Sequence, residues 1–171
     1  DCPAQTENTL IHFFKTLGNV DGFGPKVIEK ITNQGIKHIH EIYQIPKHQF
    51  VEFGFGDKTS QNLIDQLQAS RQIEIEDWRF LAAFGVTRLA GGNCEKLLRH
   101  HALVQVFEIS VEDMVKIDGF AQLSAEAIVE GLANVREEFF KVYNLGFNLS
   151  VTPKESDRES SDSPIAGAVV V

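Results

Sequence analysis

Pairs of glycines separated by one apolar residue recur along the chain, and this arrangement can hold an anion through main-chain groups. The two clearest copies are Gly22-Phe23-Gly24 and Gly54-Phe55-Gly56. Glycine adopts backbone angles that other residues avoid, and its missing side chain lets an anion approach the main chain closely. A helix that begins directly after such a turn points free N–H groups and the positive end of its dipole at that anion. These residues therefore predict sites for phosphate groups.

Two looser copies follow, Leu89-Ala90-Gly91 and Gly119-Phe120-Ala121. The third residue of each turn then falls at positions 24, 56, 91 and 121, a roughly constant period that is typical of repeated supersecondary units. Apolar residues recur seven positions after each turn, at Ile31, Leu63, Leu98 and Ile128. The residues four positions after each turn are Ile28, Ser60, Glu95 and Ala125. Glu95 does not fit, but the other three continue a stripe on one helix face, so each turn is predicted to open an amphipathic helix.

Basic residues near three of the turns support the prediction of phosphate binding. Lys26 and Lys58 follow the first two turns and Arg88 precedes the third, whereas the fourth turn has Asp118 and Gln122. Each cation taken singly is equally consistent with an ordinary surface residue. Because such turns bind nucleic-acid backbone without reading bases, the prediction is non-sequence-specific binding of duplex DNA. The predicted DNA-binding residues are Gly22, Gly24, Lys26, Gly54, Gly56, Lys58, Arg88, Gly91 and Gly119.

The elements that must position these turns are predicted to be helices, and no internal strand is predicted. Besides the helices that leave the turns, helical patterns cover residues 8–17, 39–43, 78–84, 104–108, 111–117 and 133–143. The predicted fold is therefore all-α, with four tandem helix-hairpin-helix units that form a compact helical domain over residues 6–149.

The composition changes at residue 150. Residues 150–163 are rich in serine and charged side chains and have too little apolar surface to fold alone, so a flexible linker is predicted. Residues 164–171 are a β-branched run, which is predicted to be the first strand of a truncated domain.

The composition also restricts the class of protein. Hydrophobic residues make up 43% of the 171 residues and include 13 Phe, which is enough for a substantial core. The formal net charge of -8 argues against a broad basic face, but not against binding through uncharged backbone amides. No apolar run is long enough to span a membrane, and the N-terminus does not resemble a signal peptide. Only two cysteines, Cys2 and Cys94, are present, which indicates a reducing cytoplasm.

Several segments together resemble the helix-hairpin-helix region of bacterial NAD-dependent DNA ligases. Cys2-Pro3-Ala4-Gln5 resembles the end of that family's four-cysteine zinc finger. Residues 20–26 and 56–63 are similar to its first and second hairpins, and residues 84–88 to the approach to the third. Ser163-Pro164-Ile165-Ala166-Gly167 resembles the opening of its C-terminal BRCT domain. The chain departs from the family pattern around the third turn and at Ala121, which replaces the last glycine of the fourth.

The resemblance implies that the chain is a fragment of a larger enzyme. Residues 1–5 would end a zinc-finger segment, in which Cys2 would bind zinc only in the intact parent protein. The parent would use NAD, magnesium and zinc to seal nicks in replication and repair, in the bacterial cytoplasm at the nucleoid. Its adenylation domain is absent here, so the fragment itself is expected to have no enzymatic activity and no cofactor. Its expected partners are nicked double-stranded DNA and the other domains of the parent.

One motif points to a different chemistry. Lys116-Ile117-Asp118-Gly119 matches the Lys-x-Asp-Gly motif of nucleotidyl-transferring ligases. A catalytic lysine needs a pocket lined by acidic residues and lysines, whereas this motif falls where the fourth turn begins, so we predict no catalytic role. The six histidines lack ordered partners for a metal site. Two alternatives remain open at this point, namely a helical protein-interaction module, which the acidic charge favours, and a hairpin module of another repair protein such as an excision nuclease subunit.

Overall fold

The computed structural model describes residues 3–20 and 22–154, and over this part of the chain the predicted all-α class is confirmed. The α-helices are α1 (Pro3–Leu17), α2 (Pro25–Thr32), α3 (Ile39–Ile42), α4 (Lys47–Glu52), α5 (Asp57–Gln72), α6 (Asp77–Ala82), α7 (Gly91–Leu98), α8 (Val111–Val115) and α9 (Gln122–Tyr143). A 3-10 helix spans Leu103–Glu108, and the strands are β1 (Ile75–Glu76) and β2 (Leu149–Ser150). No helix of the described residues is long and apolar enough to cross a membrane.

The helices form two pairs of helix-hairpin-helix units with the same design. In the first pair α1 packs on α2 and α4 on α5, and in the second α6 packs on α7 and α8 on α9. The connection between the two units of a pair is α3 in the first pair and the 3-10 helix in the second. The chain is therefore an internal duplication of a two-hairpin module, which places four turns on one scaffold.

The residue spacing explains why the helices after the turns form and which side they bury. Pro25 is the first residue of α2, where its fixed φ suits a helix start and its missing N–H costs nothing. Ile28 and Ile31 follow at positions that share one face, and both are fully buried. In α9 the same spacing buries Ala125 and Ile128. Burial of such side chains stabilises each helix, which would be marginal in isolation.

Aromatic side chains hold the two pairs together. Phe80 of α6 lies between Phe13 of α1 and Phe139 of α9, with ring centroids 6.5 and 5.5 Å apart, and all three are fully buried. The two pairs are also in contact through a polar interaction, in which His40 Nδ1 of α3 lies 2.7 Å from Glu138 Oε1 of α9. These contacts fix one pair of hairpins relative to the other.

Helix α9 is one continuous helix, whereas the sequence pattern predicted a separate helix over residues 133–143. Gly131 lies in its interior. A Cβ on Gly131 would lie 2.8 Å from Cγ1 of Val86, a buried residue just before the third turn. The glycine therefore permits close packing of α9 on the third unit and does not end the helix.

The prediction of no internal strand was wrong. Ile75 and Glu76 pair in parallel with Leu149 and Ser150 to form a two-stranded sheet. A pair this short has no detectable alternation in the sequence, and its two members are far apart along the chain.

The chain stays attached to the fold beyond residue 150. Thr152 donates its backbone N–H to Asp77 Oδ2 at 3.1 Å and its hydroxyl to Oδ1 at 2.5 Å. Both residues are buried. Ser150 and Thr152, which the sequence placed in the flexible linker, are thus part of the fold. Residues 155–163 of that linker, the predicted strand at 164–171, and Cys2 lie outside the described residues.

Candidate nucleic-acid interface

Each of the four turns is opened by a residue with a positive φ. The angle is 96° at Gly22, 106° at Gly54, 68° at Arg88 and 102° at Gly119. This left-handed region is open to glycine, while for another residue it costs about 1–2 kcal/mol. At the third turn Asn93 Nδ2 donates to the Arg88 carbonyl at 2.9 Å, which helps to hold the strained residue.

The middle residue of each turn is buried beneath it. These residues are Phe23, Phe55, Leu89 and Phe120, and none is more than 8% exposed. Phe23 stacks on Phe14 of α1 with ring centroids 4.7 Å apart. The turns are thus anchored from below, and their main chains face outward in a fixed orientation.

The helices that follow the four turns begin with free N–H groups. Their N-cap residues are Gly24, Gly56, Ala90 and Ala121, all extended and none making a side-chain capping bond. By contrast Ser110, the N-cap of α8, accepts a first-turn N–H through its hydroxyl. All four N-caps are exposed, and no side chain of the described residues caps these helices. Apart from Pro25, which has no N–H, the first residues of α2, α5, α7 and α9 therefore present donors and a positive dipole end to solvent, which is the arrangement that binds a phosphate.

The third turn lies one residue earlier than the sequence pattern predicted. Ala90 is the N-cap of α7, and Gly91 is the first residue inside the helix. A Cβ on Gly91 would lie 3.1 Å from Cζ3 of Trp78, so close packing explains its small size. The prediction that Gly91 is the third residue of the turn was therefore wrong, since Ala90 takes that position. A contact between Gly91 and DNA stays a prediction.

The corrected register also removes the misfit at Glu95. Counted from Ala90, the positions that face the core are Cys94 and Leu97, and both are fully buried. The third helix thus has the same buried stripe as the other three. Burial raises the pKa of the Cys94 thiol, and so does the charge of Asp77, which keeps that thiol protonated and unreactive.

The cations beside the turns differ between the two pairs. Lys26 and Lys58 are the second residues of α2 and α5, and both are exposed. The equivalent residues of α7 and α9 are Gly92 and Leu123, and the Leu123 side chain is 72% exposed. The first pair therefore has a lysine at each helix start, and the second pair has none at these positions.

Two further charged groups shape the field at the turns. Arg88 Nη1 donates to Ser124 Oγ at 3.2 Å, so this cation links the third turn to the helix of the fourth hairpin. Asp57, the first residue of α5, lies 3.2 Å from Lys47 Nζ, which offsets the negative charge that it places beside the second turn.

Two lysines that the sequence analysis did not select also lie at the turns. Lys30 Nζ donates to the Gly54 carbonyl at 3.2 Å and lies 4.9 Å from the centroid of Phe55. Lys96 Nζ lies 5.8 Å from the centroid of Phe120. Each is the sixth residue of its helix, Lys30 of α2 and Lys96 of α7. The sequence repeat could therefore have identified them as equivalent positions, but only once the third turn is placed one residue earlier.

Lys116 of the Lys-x-Asp-Gly motif lies at the protein surface. The Lys116 side chain is 76% exposed and its Nζ lies 3.6 Å from Asp113 Oδ1. Ile117 is buried and Gly119 is the left-handed residue of the fourth turn, as the sequence predicted. Nor do the described residues bring three or more His, Cys, Asp or Glu side chains together as metal ligands.

Comparisons with known proteins agree with this architecture. Residues 14–69 match the family described as a SAM-like helix-hairpin-helix tandem. The whole chain is 68% identical to a DNA ligase of Shewanella baltica, 68% identical to one of Psychromonas ingrahamii and 30% identical to one of Bacillus velezensis. Each of these three alignments covers 100% of this chain but only 26% of the relative, so the chain spans about a quarter of the relatives' length.

Proposed function

We propose that this chain, which has a tandem helix-hairpin-helix domain and is homologous to a segment of bacterial DNA ligases, binds duplex DNA without reading its sequence. The observation that carries the proposal is the set of four uncapped helix N-termini behind anchored turns. Each would donate backbone N–H groups to phosphate oxygens. Such contacts position a protein on DNA but carry no base information.

The acidic composition is compatible with this function. The net charge of -8 comes mainly from residues 101–171, which contain 12 acidic and 5 basic residues, whereas the proposed ligands are main-chain amides and a few cations beside the turns. Lys26 and Lys58 lie directly at the helix starts, where the dipole already favours an anion. Binding is therefore expected to depend on local groups and not on a broad basic face.

We further propose that the segment acts within a longer, NAD-dependent ligase and helps to hold nicked DNA in the bacterial cytoplasm, at the nucleoid. The relatives are named DNA ligases, and this chain covers a quarter of their length. NAD, magnesium and zinc would be used elsewhere in that protein. The described residues bring no three His, Cys, Asp or Glu side chains together as metal ligands, and Lys116 is exposed beside Asp113, so we assign no chemical step to this chain.

A binding assay with the 171-residue chain tests the proposal. Fluorescence anisotropy would compare a labelled nicked duplex, an intact duplex of the same sequence and a second nicked duplex of scrambled sequence. We expect the two nicked duplexes to bind equally and the affinity to fall with salt, because each phosphate contact displaces counterions. Replacing Lys26 and Lys58 together with methionine should weaken binding in a protein that is still folded.

The same assay separates the alternatives. The alternative is a protein-interaction module, which is favoured by the exposed Leu123 at the start of α9, the helix after the fourth turn. No duplex binding at low salt by the folded chain would refute our proposal and support that alternative. The other alternative, a hairpin module of an excision nuclease subunit, finds no support, since the relatives matched over the whole chain are named DNA ligases.

A further inference from the structure

The two lysines at the sixth helical position occupy the same place relative to the next hairpin. A Cβ built on Gly54 would lie 3.2 Å from Lys30 Cε and 3.3 Å from its Nζ. On Gly119 a Cβ would lie 3.2 Å from both Cδ and Cε of Lys96. In each pair, therefore, a lysine on the helix of the first hairpin lies beside the left-handed glycine of the second hairpin.

The aromatic residue beneath each turn supports this position. The ammonium of Lys30 lies 4.9 Å from the Phe55 ring centroid, and that of Lys96 lies 5.8 Å from the Phe120 centroid. A cation within about 6 Å of a ring face is attracted to it. The buried rings thus hold both ammonium groups at the turn surface without neutralising them.

Neither ammonium is paired with a carboxylate in the part of the chain that the structure describes. Other lysines are paired there, among them Lys116 with Asp113 and Lys141 with Glu137. An unpaired positive charge beside a row of free helix N–H groups strengthens the attraction for a phosphate at that turn.

We infer that Lys30, from the first hairpin, binds phosphate at the second hairpin, and that Lys96, from the third hairpin, binds phosphate at the fourth. This inference rests on the proposed function. Its main consequence concerns the fourth hairpin, where Ala121 replaces glycine, Asp118 precedes the turn and no lysine follows. Lys96 gives this hairpin a cation at the turn that is not paired with a carboxylate among the described residues, whereas the hairpin's own Lys116 is paired with Asp113.

Substitution of Lys96 in the 171-residue chain tests the inference, with Lys116 as the matched control. Lys96→Met keeps an unbranched side chain beside Gly119 and removes the charge, Lys96→Arg keeps the charge, and Lys116→Met removes a nearby exposed cation. Anisotropy with a nicked duplex would be measured over a range of salt. For Lys96→Met we expect about two- to fivefold weaker binding, and a slope of log K against log salt that is shallower by about 0.9, the value for one phosphate. Lys96→Arg and Lys116→Met should bind like the unchanged chain.

Other outcomes distinguish this inference from the proposed function. If Lys96→Met lowers the free energy of unfolding in urea but leaves the salt slope unchanged, Lys96 only supports the fold and the inference is overturned. It is also overturned if Lys116→Met has the same effect as Lys96→Met. If the paired Lys26 and Lys58 substitutions weaken binding and Lys96→Met does not, the inference fails alone. If the folded, unchanged chain binds no duplex, both fail.

Discussion

The N-cap glycines of the first two hairpins offer the sharpest test of backbone binding. A Cβ added to Gly24 or Gly56 would meet nothing within 4 Å, and both residues have extended backbone angles that any residue adopts. Gly24→Val or Gly56→Val should therefore fold normally, while the new side chain occupies the space through which a phosphate would reach the first N–H groups. Losing one set of charge-assisted bonds costs about 1–3 kcal/mol. This corresponds to roughly 5- to 150-fold in Kd.

The second pair and the turn glycines provide the controls. Ala90→Val and Ala121→Val enlarge a side chain that is already present, so their effect on binding should be smaller. Gly22→Ala places a side chain at φ 96° and should instead lower the free energy of unfolding, by about 1–2 kcal/mol. Anisotropy with a nicked duplex and urea denaturation would be measured for every variant. If Gly24→Val and Gly56→Val are folded and bind like the unchanged chain, phosphate does not approach these turns and the reasoning is wrong.

Three further predictions concern other parts of the chain. Gly92→Lys and Leu123→Lys each place a lysine where the first pair has one, and both should tighten binding to a nicked duplex by about two- to fivefold; unchanged anisotropy titrations would contradict this. Thr152→Ala removes a hydroxyl donor from the buried carboxylate of Asp77 and should lower the free energy of unfolding in urea by about 1–3 kcal/mol, a loss that a surface contact would not give. Burial raises the pKa of Glu41, but two backbone N–H bonds and the nearby imidazoles outweigh it, so its pKa lies below the ordinary 4.5. Ionised Glu41 therefore stabilises the fold above its ordinary pKa, and this stabilisation is lost as the pH falls and the carboxylate is protonated. Glu41→Gln should accordingly make the free energy of unfolding fall less steeply below pH 4.5, which urea denaturation over a pH series would measure.

The helical stripes and three of the four turns could be predicted from the sequence because their signals are local. A glycine at a left-handed position followed by a buried Phe identifies the first, second and fourth turns. The third turn was misplaced by one residue because Arg88, not a glycine, takes the positive φ there. Leu97 and Leu98 are both buried, so the apolar pattern fitted either register, and only the misfit of Glu95 pointed to the error.

The features that the sequence could not predict depend on contacts between distant segments. The parallel pairing of Ile75 with Leu149, and the bonds from Thr152 to Asp77, join residues about 75 positions apart and leave no periodic signal. Lys30 and Lys96 are ordinary helix lysines in the sequence. Their proximity to the second and fourth turns follows from how the two units of each pair pack, which no single unit specifies.

The duplication gives a physical reason to expect different contributions from the two pairs. The pairs share the fold because the buried positions are kept apolar or small, but their exposed helix starts differ. Glycine and lysine at the start of α2 and α5 allow both close approach and charge, whereas alanine with Gly92 or Leu123 at the start of α7 and α9 allows less of each. Since all four helices keep their free N–H groups, the second pair is expected to retain backbone binding of lower affinity. Arg88 and Lys96 are two cations near its turns that add to this binding, so removal of the Lys96 charge is expected to lower the contribution of the fourth hairpin.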